Sequence, residues 1–121
     1  MTAADLRKAE KRLLKYALSF PEAYEDHPWG ENVAKVNKKV FVFLGTPSDD
    51  RVAVCAKLPQ SADFALTFPF TEVAGYGLGK AGWVLAQFGP DDEIPVDMLE
   101  DWIDESYRAV APKKLVKLLD E

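Results

Sequence analysis

The 121-residue chain is poor in the residues that most site chemistry needs, with one cysteine and one histidine. Cys55 has no second thiol, which excludes an intrachain disulfide. One cysteine and one histidine also leave no N/S ligand set for a tetrahedral zinc. No Gly-x-Ser-x-Gly elbow accompanies His27, so a Ser-His-acid triad lacks its usual frame. Carboxylates are plentiful, but none sits in an apolar stretch that would raise its pKa for proton transfer. The glycine-rich segment Gly75-Tyr76-Gly77-Leu78-Gly79-Lys80 lacks Walker spacing and the Ser/Thr after its lysine. No enzyme, metal or cofactor is therefore expected. No apolar run approaches the ~20 residues needed to span a bilayer. The start, MTAADLRKAEKR, has no apolar signal-peptide core. A cytoplasmic protein with no membrane role is the expectation. A positive balance is missing too. The net charge is −5, opposite to the basic footprint that duplex DNA binding ordinarily leaves.

What is present suits one folded domain over 1–121, without repeats, linkers or low-complexity tracts. Hydrophobic residues make up 48% and there are three tryptophans, enough for a core without staples. Leu6, Ala9, Leu13, Ala17 and Phe20 recur at helical spacing and predict an amphipathic helix ending at Phe20-Pro21. Its outer rows Arg7, Lys11, Lys15 and Lys8, Arg12 form a basic ridge, read as a solvated helix face. Glu25 to Gly30 reads as an ordered loop, because Pro28 fixes its own φ and Gly30 permits a turn. Val33–Val36 and Val40–Leu44 are β-rich runs joined through Asn37-Lys38-Lys39, a hairpin signal. A third strand is expected over Arg51–Lys57, with Val52, Val54 and Ala56 on one face and Arg51, Ala53, Cys55 and Lys57 on the other. Cys55 is read as a small core residue. A short helix over Ser61–Phe68, an irregular glycine-bearing strand over Thr71–Lys80 and a strand over Trp83–Phe88 follow. Pro95 opens a helix lined inwardly by Leu99, Trp102, Ile103, Ser106 and Val110. Pro112 starts a last one, with Leu115, Leu118 and Leu119 inward. The order is α-β-β-β-α-β-β-α-α.

Charge is segregated along the chain. Residues 91–105 hold Asp91, Asp92, Glu93, Asp97, Glu100, Asp101, Asp104 and Glu105, and no basic group. Lysines and aromatics instead interleave in the strands: Lys35, Lys38, Lys39, Lys57, Tyr76, Lys80 and Trp83. Ammonium groups neutralise phosphate and rings stack on bases, so this set is a candidate nucleic-acid surface. The structural alternative stays open, with Trp29 and Trp83 as core residues and the lysines as solubilising edge residues. His27, beside Asp26, is read as a loop residue hydrogen-bonded to a neighbour.

Three segments resemble the MmcQ/YjbR family of small bacterial proteins. Lys35-Val36-Asn37-Lys38-Lys39-Val40-Phe41 is similar to its K-V-x-x-K-x-F hairpin, preceded by an acidic loop that carries Asp26, His27, Pro28 and Trp29. Gly75 to Trp83 resembles its G-Y-x-L-x-K-x-x-W signature. Ile103-Asp104-Glu105-Ser106-Tyr107 resembles its I-x-x-S-Y segment. The resemblance covers the chain from about Leu6 to Leu119. It implies an α+β, two-layer fold similar to type III secretion chaperones, with a five-stranded antiparallel sheet and helices on one face. It also implies DNA binding through a double-wing motif, whose wings would be residues 37–39 and 77–82. The acidic pI near 4.9 supports a competing function, a protein–protein adaptor or chaperone-like homodimer without nucleic acid. An enzyme acting on a small molecule ranks third.

Overall fold

A computed structural model of the chain describes residues 3–45, 50–75 and 78–120. The elements are α1 (Ala3–Leu18), β1 (Tyr24–Asp26), β2 (Asn32–Val36), β3 (Lys39–Gly45), β4 (Val52–Lys57), α2 (Ala62–Ala65), β5 (Thr71–Val73), β6 (Trp83–Phe88), α3 (Val96–Val110) and α4 (Lys113–Leu119). Two short 3₁₀ turns lie at Pro28–Gly30 and Leu78–Ala81. All strand pairs are antiparallel, in one sheet of order β1-β2-β3-β4-β6-β5. The fold is thus α+β, as expected, but the sheet has six strands and not five.

The extra strand is β1, in a stretch read from the sequence as loop. Tyr24, Glu25 and Asp26 pair with Lys35, Ala34 and Val33. Three residues of mixed polarity carry no alternation signal; the free edge of β2 makes them a strand. Both edge strands, β1 and β5, are only three residues long, which limits open-edge pairing with other chains.

One face of the sheet is packed against helices. Leu6, Ala9, Leu13, Ala17 and Phe20 of the first helical segment are all buried, as their spacing predicts. They meet Val52, Val54, Ala56, Val84, Ala86 and Phe88 from β4 and β6, with Leu99, Trp102, Ile103 and Tyr107 from α3, in one core. Tyr107 is its centre. Its ring stacks on Phe20 at 4.7 Å and meets Phe41 edge-on at 5.2 Å. Its hydroxyl donates to the Pro21 carbonyl at 2.7 Å, which ties α3 to the end of α1. Ser106, also fully buried, donates to the Phe41 carbonyl and accepts from the Lys57 amide at 2.9 Å, so α3 is bonded to two strands. Buried backbone groups of this kind need partners.

The β2–β3 connection is a two-residue turn. Val36 pairs directly with Lys39, and Asn37 and Lys38 have φ of 51° and 67°. Positive φ at both central residues is the signature of a type I′ hairpin, which matches strand twist. Two further details depart from expectation. The helix after Ser61 is shorter, Ala62–Ala65; Ser61 gives its hydroxyl to Glu105 rather than to its own helix, and Glu105 also accepts from the Gln60 and Ser61 amides at 3.0 and 3.1 Å. In α4 only Leu115 is buried, and Leu118 faces solvent.

Candidate functional site

Among the described residues, no α-helix packs on the opposite face of the sheet. The pairs Tyr24–Lys35, Lys35–Val40 and Lys57–Trp83 set a row across one end of that face. The next row runs through Val33–Phe43, Phe43–Cys55 and Cys55–Leu85 to Glu72. Cross-strand partners share a face, so the first row is basic and aromatic and the second is apolar.

The predicted lysines gather at the hairpin end. Lys38 lies in the turn and Lys39 opens β3, both exposed. Lys57 ends β4, half-buried and opposite Trp83. Lys80 is exposed on the second 3₁₀ turn, which leads into Trp83. None of these four has an ion-pair partner among the described residues. Lys35 differs. Its Nζ lies 2.8 Å from Asp26 Oδ2. That hydrogen bond, with one from the His27 amide, holds the Asp26 carboxyl below its usual range and raises the Lys35 ammonium pKa. Of the loop signature, His27 Nε2 sits 2.8 Å from Glu25 Oε2. Asp26 and His27 thus serve the loop and its pairing with β2. The Trp29 side chain lies outside the described residues, as do Tyr76, Gly77 at the start of the second proposed wing, and residues 46–49 after β3.

Trp83 is on the expected face but only 8% exposed, with its ring edge-on to Phe43 at 5.5 Å. It acts as a core residue of a small second cluster with Cys55 and Ala74, flanked by Phe43 and Leu85. Tyr24, which sequence reasoning passed over, is 42% exposed and stands opposite Lys35. No local signal marks it, because its exposure follows from the unpredicted β1.

Beyond the Cys55 row lies a depression of about 310 Å³, lined by Glu31, Phe43, Gly45, Ala53, Cys55, Ala74, Gly75 and Leu85. Burial pushes the Cys55 thiol up to about 12, and the nearby Glu31 carboxylate adds to the shift. The thiol is therefore protonated at neutral pH and a poor nucleophile.

The acids of 91–105 lie at the far end of β6 or on α3, where Glu105 reaches the Gln60 and Ser61 amides just past Lys57. Asp91, Asp92 and Glu93 follow Phe88, at the other end of β6 from Trp83. The rest are on α3, across the sheet. Asp97 and Glu100 take Arg12 of α1 at 3.0 and 3.3 Å, and Asp104 takes Arg108 at 2.6 Å. Arg12 of the basic ridge is thus engaged within the helical layer. Glycine is favoured at Gly82 by its φ of +89°, a left-handed backbone that other residues resist.

The segments that carried the resemblance therefore sit mainly in the frame: the type I′ hairpin, the tight Gly82–Trp83 entry to β6, and the buried Ile103, Ser106 and Tyr107. Solved structures agree on that frame. A crystal structure of a Deinococcus radiodurans protein with a DUF419 domain matches at TM-score 0.68 and 21% identity, over 91% of this chain and 86% of that one. A Pseudomonas syringae protein matches at TM-score 0.61 and 19% identity, over 83% of this chain and 97% of that one. Searching the curated proteins gives no match. The YjbR family model aligns with residues 18–109, which takes in all three segments from the hairpin to Tyr107. The chain belongs to the YjbR family.

Proposed function

We propose that this YjbR-family chain binds nucleic acid weakly, through phosphate contacts at the hairpin end of its helix-free sheet face. The observation that carries the reading is the separation of charge by layer. Lys38, Lys39, Lys57 and Lys80 share one end of the sheet with no ion-pair partner among the described residues. The acids of α3 lie behind the sheet, and Asp97, Glu100 and Asp104 are paired with arginines. Local potential at short range, not net charge, governs phosphate contact once screening acts beyond about 8–10 Å. Trp83 is too enclosed to serve as a stacking platform, so contact is to the backbone and sequence preference is low. Lys35, held by Asp26, contributes less than the other four.

Titration of labelled duplex and single-stranded DNA at low and at physiological salt tests this. Four phosphate contacts predict roughly a hundredfold loss of affinity between 50 and 200 mM salt. Lys57→Glu with Lys80→Glu abolishes binding and Lys113→Glu leaves it unchanged. If the wild-type protein binds neither form at low salt, the reading fails.

A competing reading, a protein adaptor, rests on a different surface. Phe64 is 67% exposed, edge-on to Phe68 at 5.4 Å, near edge strand β5 where Val73 is 58% exposed. Exposed aromatics beside a free strand edge suit a protein partner. A loss of concentration-dependent association on Phe64→Ser, with DNA binding absent, favours it.

A further inference from the structure

The depression beyond the lysine row has a chemistry of its own. Its walls are Phe43, Ala53, Cys55, Ala74 and Leu85, and among the described residues the one charged group lining it is Glu31. Three of these walls are small side chains, and they leave the hollow between the two large ones. At about 310 Å³ it lies at the lower end of the range, roughly 300–1,000 Å³, in which small molecules are held. Glu31 follows the first 3₁₀ turn, whose geometry fixes it: its amide donates to the Pro28 carbonyl at 3.0 Å. Glu31 is half-buried as a residue, and its carboxylate has no hydrogen bond or ion pair to any described residue.

An apolar hollow with one unpaired carboxylate at its wall selects for a complementary ligand. Anions are repelled, and neutral apolar molecules gain only burial. A cation with an apolar body gains both burial and a charge-assisted hydrogen bond in a setting less screened than bulk water. We propose that this depression is a binding site for a small organic cation, an aryl- or alkyl-ammonium whose apolar body lies between Phe43 and Leu85 and whose ammonium is held by Glu31. The neutral thiol of Cys55 belongs to the apolar wall and takes no part as a nucleophile. The site is separate from the lysine row, and the two make opposite demands on ligand charge. Its outcome is thus independent of the DNA titration.

The test uses 2-phenylethylammonium, with 3-phenylpropionate and 2-phenylethanol as the anionic and neutral matches, titrated into the ¹⁵N-labelled protein. A fragment of this size is expected to bind on the order of millimolar. The expected result is amide shifts confined to Ala53, Cys55, Ala74, Leu85 and their neighbours. The ammonium should bind about tenfold more tightly than the alcohol, the scale of one partly buried charge-assisted bond, and the carboxylate most weakly. Glu31→Gln should bring ammonium and alcohol to equal affinity, while Ala53→Leu, which fills the hollow, should remove binding of both. The same spectra report whether each variant is folded. Equal binding of ammonium and carboxylate, shifts elsewhere on the surface, an unaltered preference in Glu31→Gln, or no shifts from the ammonium at all would each overturn the proposal.

Discussion

The two faces of this sheet are built from the same strands and do different things. On the helix-covered face, Phe41, Leu44, Val54 and Ala86 are sealed under α1 and α3. Polar groups there exist to join layers: Ser106 bonds two strands and Tyr107 reaches Pro21. On the other face, Phe43, Cys55, Trp83 and Leu85 form a smaller cluster bordered by lysines at one side and by a hollow with an unpaired carboxylate at the other. Stability is concentrated on the first face, and groups without partners collect on the second. A fold can therefore keep one side fixed while the other is left to chemistry.

The sharpest way to break the comparison is to truncate one phenylalanine from each face. Phe41→Ala removes a fully buried ring that meets Phe20 and Tyr107, and should cost roughly 3–5 kcal/mol. Phe43→Ala removes a half-buried ring two residues away, and should cost about 1–2 kcal/mol, since less area leaves water. Urea unfolding of both variants measures the difference. Equal losses would show that the helix-free face is as much core as the other.

A second experiment asks how dry the helix-free face is. The folded Cys55 thiol keeps its proton to about 12, whereas the unfolded thiol loses it near the ordinary value of 9.0. Between those values the unfolded state holds fewer protons than the folded one. Stability from this group is complete below pH 9 and falls as pH rises toward 12, by at most about 1.4 kcal/mol per pH unit. The wild type should therefore lose ground to Cys55→Ala in denaturant midpoint as pH rises from about 8 to about 10.5. A constant gap would mean that water reaches the thiol.

The smallest effect sharpens the contrast between fold and function at a single residue. Lys38 has φ of 67° at the second position of a type I′ turn, where glycine is preferred. Left-handed backbone costs a non-glycine residue about 1 kcal/mol or more. Glycine's larger unfolded-state entropy offsets part of the relief, leaving Lys38→Gly more stable by roughly 0.5 kcal/mol. The same change removes a cation from the hairpin end. A variant that melts slightly higher and binds DNA more weakly would mark Lys38 as kept for its charge. Unchanged DNA binding would remove Lys38 from the proposed surface.

Much of the frame was legible in the residues because periodicity reports burial directly. Leu6, Leu13 and Ala17 at helical spacing, and Val52, Val54 and Ala56 alternating with Ala53, Cys55 and Lys57, fix which side of each element is apolar. Proline at 95 and 112, just before helices, and glycine at 30, where φ is positive, mark boundaries through backbone sterics. That Lys35, Lys39 and Lys57 lie on strands of one sheet followed from the meander; which end of it they share is set by the register.

Other features had no local cause and only the tertiary structure decided them. Tyr24–Asp26 becomes a strand because β2 offers it an edge. In β3, strict alternation would send Phe41 and Phe43 the same way. The register instead skips Phe41 between Val40 and Val42, and Leu44 between Phe43 and Gly45. Phe41, Val42 and Leu44 thus join the helix-packed core, and Phe43 is left on the free face. The pairings of Arg12 with Asp97 and Glu100, and of Glu105 with Ser61, join residues more than forty positions apart. The exposure of Tyr24, the enclosure of Trp83 and the unpaired carboxylate of Glu31 likewise depend on which segments arrive beside them. Pattern along a chain specifies which face of an element avoids water; which neighbour covers that face is set by packing between distant segments, and the candidate sites lie where that covering stops.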